Sequence, residues 1–338
     1  MTRIAATASQ ILLGLLMAAT GGWGVLALYI SGPNNDAWRV ALATGFSVAA
    51  LAALLAWIFS RRRWQALAAY LVLFAALLAW WQSLAPSNER DWQPNVAKLA
   101  WAAIDGNAVT VHNIRNFSYR SETDYTPAWY DKTYDLRQLE GADIVASYWM
   151  GPDIAHVFVS FGFASGEHLA MSIETRTEKG EAYDTIKGFF RQYEIYYVVA
   201  DERDVIGLRT NFRRDPPEDV YVYKVKGSPQ ALQRFFLSYL SQINALKDQP
   251  KFYNTLTTNC TTNIWFNSLV NPEHLRLNWK VFASGHVPKL LHEQGRLEDA
   301  GLPFATLQQR AHINARAQAA GISADFSQRI RQVEPTKE

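Results

Sequence analysis

The sequence predicts an α+β protein in which three membrane-spanning helices precede a globular domain with an antiparallel sheet at its centre. Two observations support this fold class. Residues 1–88 hold only six charged side chains of the 338-residue chain, and the rest of the chain shows strand-like and helix-like patterns. With a single cysteine, this composition excludes a wholly soluble protein, a disordered chain and a disulfide scaffold.

Three long uncharged runs occupy the first quarter of the chain. Their apolar centres lie near residues 11–30, 40–59 and 66–84, and each approaches the ~20 residues that a helix needs to cross a bilayer. Tryptophans lie near the ends of the runs, as interfacial anchors do: Trp38, Trp57, Trp64, Trp80 and Trp81. A cleaved signal peptide is the alternative for the first run, but this run is long and two more spans follow it. We therefore expect a membrane anchor over residues 1–85.

Basic residues predict the orientation of this anchor. Arg61, Arg62 and Arg63 fill the tight turn between the second and third spans, and short loops rich in arginine belong on the cytoplasmic side. Arg3 agrees with a cytoplasmic N-terminus. The third span then exits on the far side, so all residues after about 85 are expected outside the cytoplasm.

The rest of the chain is nearly neutral. Residues 89–338 carry 28 basic and 30 acidic groups, and this balance argues against a protein that binds nucleic acid.

The predicted elements begin with a linker and a short helix over residues 86–108, with the helix at 97–104. Alternation then predicts strands, and helical spacing predicts helices. The strands are 109–120, 156–163, 168–173, 195–200 and 220–225, and the helices are 229–245, 304–320 and 326–333, the last two being polar surface helices. An α+β domain over 109–285 and a C-terminal helical extension over 286–338 follow.

The single cysteine, Cys260, is a candidate nucleophile. It lies in the polar run 257–263, directly before residues spaced as one apolar face of a helix. Thr258 or Asn259 would cap this helix, and the positive end of the helix dipole would lower the pKa of a cysteine in its first turn. The alternative is a buried and inert thiol.

A cysteine nucleophile needs a base, which is usually histidine. His156 opens the apolar strand 156–163 directly after Gly151-Pro152-Asp153, so it would lie at a strand end beside a loop. The alternative is a purely structural histidine. His112 lies within a segment that alternates as a strand does, and it is interpreted as a sheet residue.

Several longer motifs resemble the Lnb-type lipoprotein N-acyltransferase family. The motifs cover roughly residues 90–285 and come in the family's order. They are Ile114–Arg120 (IRNFSYR), the strand led by His156, Ser172–Arg176 (SIETR), Ala200–Arg203 (ADER) and Tyr253–Thr262 (YNTLTTNCTT).

The resemblance implies a circularly permuted, NlpC-type papain-like domain, similar to lecithin–retinol acyltransferase, in which His precedes an Asn-Cys pair that opens a helix. It also implies acyl transfer through a thioester and no cofactor or metal. Cys260 would attack a phospholipid ester with His156 as base, and the acyl chain would pass to a lipoprotein N-terminus or another amine acceptor.

The hairpin after His156 indicates a candidate for the third catalytic residue beside Cys260 and His156. Lecithin–retinol acyltransferases carry a second histidine twelve residues after the first, which would be His168. A three-residue loop over 164–166 with Gly166 in the left-handed conformation pairs residues whose numbers sum to 330. This register sets His156 opposite Glu174, and it leaves His168 opposite Gly162, ~20 Å away along the strand. Glu174 is therefore predicted to orient the imidazole.

Two alternatives to this assignment remain. Glu174 would instead form a structural salt bridge with Arg176 or Arg115, or a loop one residue longer would pair His156 with Thr175. The core face of the favoured register is Val157, Val159, Phe161, Leu169, Met171 and Ile173.

Four further residues are predicted to contact substrate: Asn259, Arg176, Arg115 and Ser172. The arginines would pair with phosphate oxygens, and ordinary salt bridges are the alternative. Together these expectations describe a membrane-anchored cysteine acyltransferase of the bacterial inner membrane, with a cytoplasmic N-terminus and a periplasmic domain. The alternatives are a cysteine amidase or peptidase that acts on cell-wall peptides, and a non-enzymatic envelope protein with a structural Cys260.

Overall fold

The computed structural model describes residues 2–332, and the chain forms two compact units. The first unit contains the residues up to Ser87 together with 183–193 and 252–254. The second unit contains the remaining residues from Asn88 onward.

Three long helices make up most of the first unit: α1 (Thr2–Ser31), α2 (Asp36–Phe59) and α3 (Arg63–Ser83). All three are long and apolar enough to cross a membrane, which confirms the three predicted spans. Polar contacts join the helices, such as the 2.7 Å hydrogen bond between Thr20 Oγ1 and Tyr70 Oη. The side chain of Arg3 lies outside the described part of the chain.

A loop from later in the chain packs on these helices. Phe190, from the segment 183–193, lies with its ring centroid 6.5 Å from that of Trp23 and 6.3 Å from that of Trp81. The sequence patterns gave no indication of this contact, because it joins segments that are more than a hundred residues apart.

The second unit is built on β-strands. Within the described residues they are β1 (Trp101–Asp105), β2 (Ala108–Arg115), β3 (Ser118–Tyr119), β4 (Tyr125–Thr126), β5 (Trp129–Asp135), β6 (Leu139–Tyr148), β7 (Ala155–Phe163), β8 (His168–Arg176), β9 (Glu194–Asp201) and β10 (Asp219–Lys224). Eight strands form one sheet in the order β1-β2-β9-β8-β7-β6-β10, with β5 also paired to β2. All pairs are antiparallel except β2 with β9, so the sheet is mixed with an antiparallel centre.

Helices cover both faces of this sheet. They are α4 (Glu202–Gly207), α5 (Pro229–Asp248), α6 (Cys260–Ser268), α7 (Val287–Glu293), α8 (Phe304–Ala311), α9 (Asn314–Ala320) and α10 (Phe326–Arg329). A π-helical turn, Leu208–Phe212, continues from α4. On one face α5 packs Phe236 against Phe161 of β7, with ring centroids 5.0 Å apart. On the other face Ala317 and Phe326 join the core. The expectation that the C-terminal helices are only surface helices is therefore wrong for α9 and α10. Val333, the end of the last predicted helix, lies outside the described residues.

The β7–β8 hairpin has the predicted register. Phe163 N donates to Glu167 O at 2.9 Å, and Gly166 has a φ of +81°. Val159 pairs with Met171 and Gly162 pairs with His168, as the sum of 330 requires. The predicted core set on this face is buried throughout: Val157, Val159, Phe161, Leu169, Met171 and Ile173.

The helix predicted over Ala97–Ile104 is wrong. A 3₁₀ turn lies at Pro94–Val96 and the strand β1 follows, pairing with β2. Gly106, with a φ of +57°, is the first residue of a two-residue hairpin loop between Asp105 and Ala108. The Asp-Gly pair thus marks a hairpin turn and not a helix end, because the first central position of this turn has a positive φ, which Gly adopts without steric cost.

The strand predicted over 109–120 is shorter than expected. A bulge between Val111 and Ile114, where Asn113 has a φ of +61°, breaks the alternation, so Ile114 and Arg115 are both buried. A bulge adds an unpaired residue and shifts the faces that follow it. β2 therefore ends at Arg115.

Candidate active site

The N-terminus of α6 places the cysteine. Asn259 is the N-cap, and its Oδ1 accepts hydrogen bonds from the backbone N–H groups of Thr261 at 3.1 Å and Thr262 at 2.9 Å. Thr262 Oγ1 accepts from Asn259 N at 2.9 Å, which completes a capping box. Cys260 is the first residue of the helix, as a cap at Asn259 predicts, and its side chain is buried.

His156 lies at the start of β7, and its ring interacts with the thiol of Cys260. Its Nε2 lies 2.6 Å from Ser172 Oγ, so Nδ1 is the ring nitrogen that remains for the thiol. The backbone of Val157 and of Thr261 also hydrogen-bonds the Cys260 sulfur. Two distant parts of the sequence thus meet at one sulfur atom.

Ser172 connects the imidazole to a carboxylate. Its hydroxyl donates to Glu174 Oε1 at 2.9 Å, so its oxygen is an acceptor for the Nε2–H of His156. The direct distance from His156 Nε2 to Glu174 Oε1 is 3.5 Å. This arrangement fixes the proton on Nε2 in the neutral ring and leaves Nδ1 to take a proton from the thiol.

A buried arginine completes the cluster. Arg209, on the π-helical turn, places Nη2 3.1 Å from Glu174 Oε1 and lies 3.6 Å from Glu218. Sequence reasoning missed this residue, because it lies in an apolar stretch with no recognisable spacing to Cys260. Its only sequence signal was the position shortly after the Ala200–Arg203 motif.

The contacts shift the ionisation of all three central groups. Burial disfavours a charged imidazole, but hydrogen bonds with Cys260 and Glu174 outweigh burial and raise the pKa of His156 to about 9. Burial of Cys260 likewise opposes its thiolate, but the hydrogen bond and charge of His156 lower the thiol pKa overall. Burial also opposes the charge on Glu174, yet Arg209 and His156 hold its pKa well below the usual range.

These directions describe a thiolate–imidazolium pair backed by an ionised carboxylate. A thiolate is the reactive form of cysteine, and an adjacent imidazolium can return a proton to a leaving group. The cluster therefore has the parts for nucleophilic catalysis with a covalent intermediate.

A comparison with protein families matches residues 125–286 to the family described as the Lnb N-terminal periplasmic domain. The chain carries an Lnb-type domain. The match spans His156, Ser172, Glu174, Arg209 and Cys260, and it confirms the family resemblance. Together with the three membrane-type helices, it indicates a membrane protein with a periplasmic domain. Comparisons with curated proteins and with solved structures found no match.

Two residues predicted to bind substrate have structural partners in the described chain. Arg115, which lies before the Lnb-type match, is buried and places Nη2 2.7 Å from Asp204 Oδ1. Arg176 is also buried, and it donates to the carbonyl oxygens of Val96 at 3.0 Å and Ala97 at 2.9 Å. Both guanidinium groups are already bound by protein, so the structure favours the structural alternative over phosphate binding.

The other two predicted substrate residues also have partners in the protein. The Asn259 amide caps α6 through Oδ1 and donates through Nδ2 to Thr255 O at 2.7 Å. Ser172 lies inside the Lnb-type domain's buried cluster between His156 and Glu174, so the structure gives it a positioning role.

His168 lies at the turn end of the hairpin, away from His156. With Asp143 and Glu202 it forms a group whose spacing would suit a metal ion. Arg331 Nη2 lies 2.6 Å from both Asp143 Oδ2 and Glu202 Oε1, so a guanidinium already neutralises these carboxylates.

Proposed function

We propose that the Lnb-type domain is a cysteine acyltransferase that moves a fatty acyl chain from a phospholipid to an amine, such as the N-terminus of a lipoprotein. The observation that carries the proposal is the Cys260–His156 pair at the start of α6, oriented by Ser172 and Glu174. The membrane-type helices of the same chain add support, because they hold the domain at high effective concentration near lipid.

The first half-reaction forms the thioester. The Cys260 thiolate attacks the carbonyl carbon of the phospholipid ester, and a C–S bond forms. The C–O bond to glycerol breaks, and the departing oxygen takes the proton from His156 Nδ1. The products are a lysophospholipid and an acyl-enzyme with a neutral imidazole.

The second half-reaction restores the enzyme. The neutral amine of the acceptor attacks the thioester carbonyl, and a C–N bond replaces the C–S bond. The amine proton passes to His156 as the thiolate leaves. Ser172 and Glu174 stabilise the imidazolium in both halves, because the carboxylate charge faces the ring.

Mass spectrometry of the purified full-length chain tests the thioester. After incubation with a phospholipid of defined acyl chains, we expect an adduct of acyl mass on Cys260 that neutral hydroxylamine removes. A synthetic diacylated lipopeptide with a free α-amino group should then collect the acyl chain. The Cys260→Ala variant is the control and should carry no adduct.

The outcomes separate the two alternatives. An unmodified Cys260 together with cleavage of cell-wall peptides would replace the proposal with an amidase or peptidase. Normal cellular function of Cys260→Ala would show a non-enzymatic envelope protein, because the nucleophile would then be dispensable.

A further inference from the structure

Exposed apolar side chains are concentrated around the candidate active site. Among the described residues of the second unit, ten large apolar side chains are exposed. Nine of them lie in the segments 150–154 and 256–282, and Ile104 is the exception. These two segments directly precede His156 and surround Cys260 in the sequence.

Five of these residues form what we call the apolar collar: Met150, Ile154, Leu277, Trp279 and Phe282. Each is between 45% and 65% exposed. Met150 and Ile154 come from the loop between β6 and β7, and the others come from the segment that follows α6.

Backbone contacts hold the two halves of the collar together. Gly285 N donates to Asp153 O at 3.0 Å, and Ala155 N donates to Ser284 Oγ at 3.0 Å. The approach is so close that a Cβ on Gly285 would lie 2.2 Å from Pro152 O. The loop before His156 therefore lies directly against the segment that carries Trp279 and Phe282.

The collar is also attached to the helix of the nucleophile. Thr261 Oγ1 donates to Val281 O, so the turn that carries Trp279 and Phe282 is bound to the residue after Cys260. The segment that carries part of the collar thus lies against the N-terminal end of α6, where the sulfur of Cys260 lies.

An apolar surface of this kind marks an interaction site, because large exposed apolar side chains gain free energy when they leave water. Trp279, the most exposed collar residue after Met150, belongs to a residue type that is enriched at membrane–water interfaces. The exposed charges of the segments that carry the collar nearly balance: within 150–154 and 271–293 the exposed cations are Arg276 and Lys289, and the exposed acids are Asp153, Glu273 and Glu293.

We propose that the collar inserts into the outer surface of a lipid bilayer and docks the N-terminal end of α6 on it. The occupant is lipid, because the same chain carries three membrane-type helices and so keeps the collar beside a bilayer. Since the surrounding charge is nearly balanced, docking is apolar and depends little on anionic lipid or on salt. The docking is independent of the chemistry proposed for Cys260.

Fluorescence quenching in nanodiscs tests the docking with the full-length chain. In a Cys260→Ala background, Trp279→Cys, Phe282→Cys and Met150→Cys each introduce the only thiol for an environment-sensitive fluorophore. Ile104→Cys is the matched control, because Ile104 is 48% exposed in the same unit but lies on β1. Nanodiscs with one protein copy carry phospholipids with a nitroxide on the acyl chain.

We expect a blue shift and nitroxide quenching at the three collar positions and neither at the control position. Quenching should persist in zwitterionic lipid and at high salt. Adding Trp279→Ser and Phe282→Ser should reduce quenching of the label at Met150→Cys, while far-ultraviolet circular dichroism stays unchanged.

Three results would overturn the proposal. Collar labels that are quenched no more than the control label would show that the collar faces water. A blue shift without nitroxide quenching, or a blue shift seen only with two protein copies per disc, would show that the collar binds protein and not lipid. Quenching confined to anionic lipid at low salt would show electrostatic attraction in place of apolar insertion.

Discussion

Arg209 Nη2 lies 3.1 Å from Oε1 of Glu174, the same oxygen that accepts the Ser172 hydroxyl at 2.9 Å. One carboxylate oxygen therefore joins a buried cation to the serine that contacts His156. Because Arg209 keeps Glu174 ionised, the carboxylate can stabilise the imidazolium through Ser172. In this cluster Arg209 is a positioning residue, because it contacts Glu174 and not the reacting atoms, and its own charge opposes the positive charge on His156.

The first prediction concerns Glu174→Gln. Removing the negative charge should lower the His156 pKa, so the alkaline limb of the pH–rate profile should move below about 9. The rate of thioester formation should fall about 10²-fold, the lower end of the range for positioned acid–base groups. His168→Ala is the control and should barely change the rate, because His168 pairs with Gly162 at the turn. An unchanged profile for Glu174→Gln would remove Glu174 from the site.

The second prediction concerns the dyad. Cys260→Ser and His156→Ala should each abolish acyl transfer and leave the circular dichroism spectrum of the chain unchanged. The double variant should be no slower than either single variant, because members of one catalytic unit are not additive. Near wild-type transfer by Cys260→Ser, measured with a labelled phospholipid, would exclude the thiol as nucleophile.

The third prediction uses alkylation of the single cysteine. The rate of alkylation by iodoacetamide should rise with pH as the thiolate forms. Since His156 lowers the Cys260 pKa, the midpoint of this rise should lie below the ordinary thiol pKa of ~8.5. His156→Gln should move this midpoint upward, because the stabilising positive charge is lost.

Acyl transfer should respond differently at high pH. Above about 9 the His156 imidazolium loses its proton, so transfer should decline while alkylation persists. Alkylation and transfer that decline together would contradict the assignment of His156 as the proton donor.

The hairpin shows what the sequence can predict. The loop 164–166 sets the register through the chemistry of a single glycine, and the register predicts the buried face. The paired residues end at Val159 and Met171, so the 2.6 Å contact of His156 with Ser172 lies beyond what the register predicts. The cap of α6 was predictable for the same reason, since Asn259 acts on residues beside it in the sequence. Local chemistry therefore predicted the parts of the site that neighbouring residues build.

Prediction from the sequence fails where contacts between distant segments determine the structure. The bulge in β2 depends on pairing with β5, and β1 is a strand because it pairs with β2, which its own sequence does not indicate. Arg209 contacts Glu174 from another part of the fold, and the periodicity of the sequence cannot predict such a contact. For Arg115 the sequence leaves phosphate binding and a salt bridge both open, because its partner, Asp204, lies 89 residues away.

The fourth prediction tests the structural role of Arg115. Asp204 is buried and accepts hydrogen bonds from Arg115, the backbone N–H of Phe117 and the Tyr119 hydroxyl. Arg115→Met should destabilise the fold by about 3–5 kcal/mol, because it leaves a buried carboxylate without its cation. The KM for phospholipid, measured well below the unfolding temperature, should stay unchanged. Arg120→Met, at an exposed ion pair, is the control and should not change the unfolding temperature.

The fifth prediction concerns topology. Arg61, Arg62 and Arg63 are exposed in the turn between α2 and α3, where they should hold that turn in the cytoplasm. A reporter that is active only in the cytoplasm, fused after Glu338, should therefore be inactive, and one active only outside should be active. Replacing the three arginines with alanine should produce molecules of both orientations, since the charge bias that orients α2 and α3 is then lost. Activity of the cytoplasmic reporter on the unaltered chain would mean that the anchor is inverted. It would also place Cys260 in a reducing compartment without access to the outer leaflet, so both the acyl-transfer and the docking proposals depend on this result.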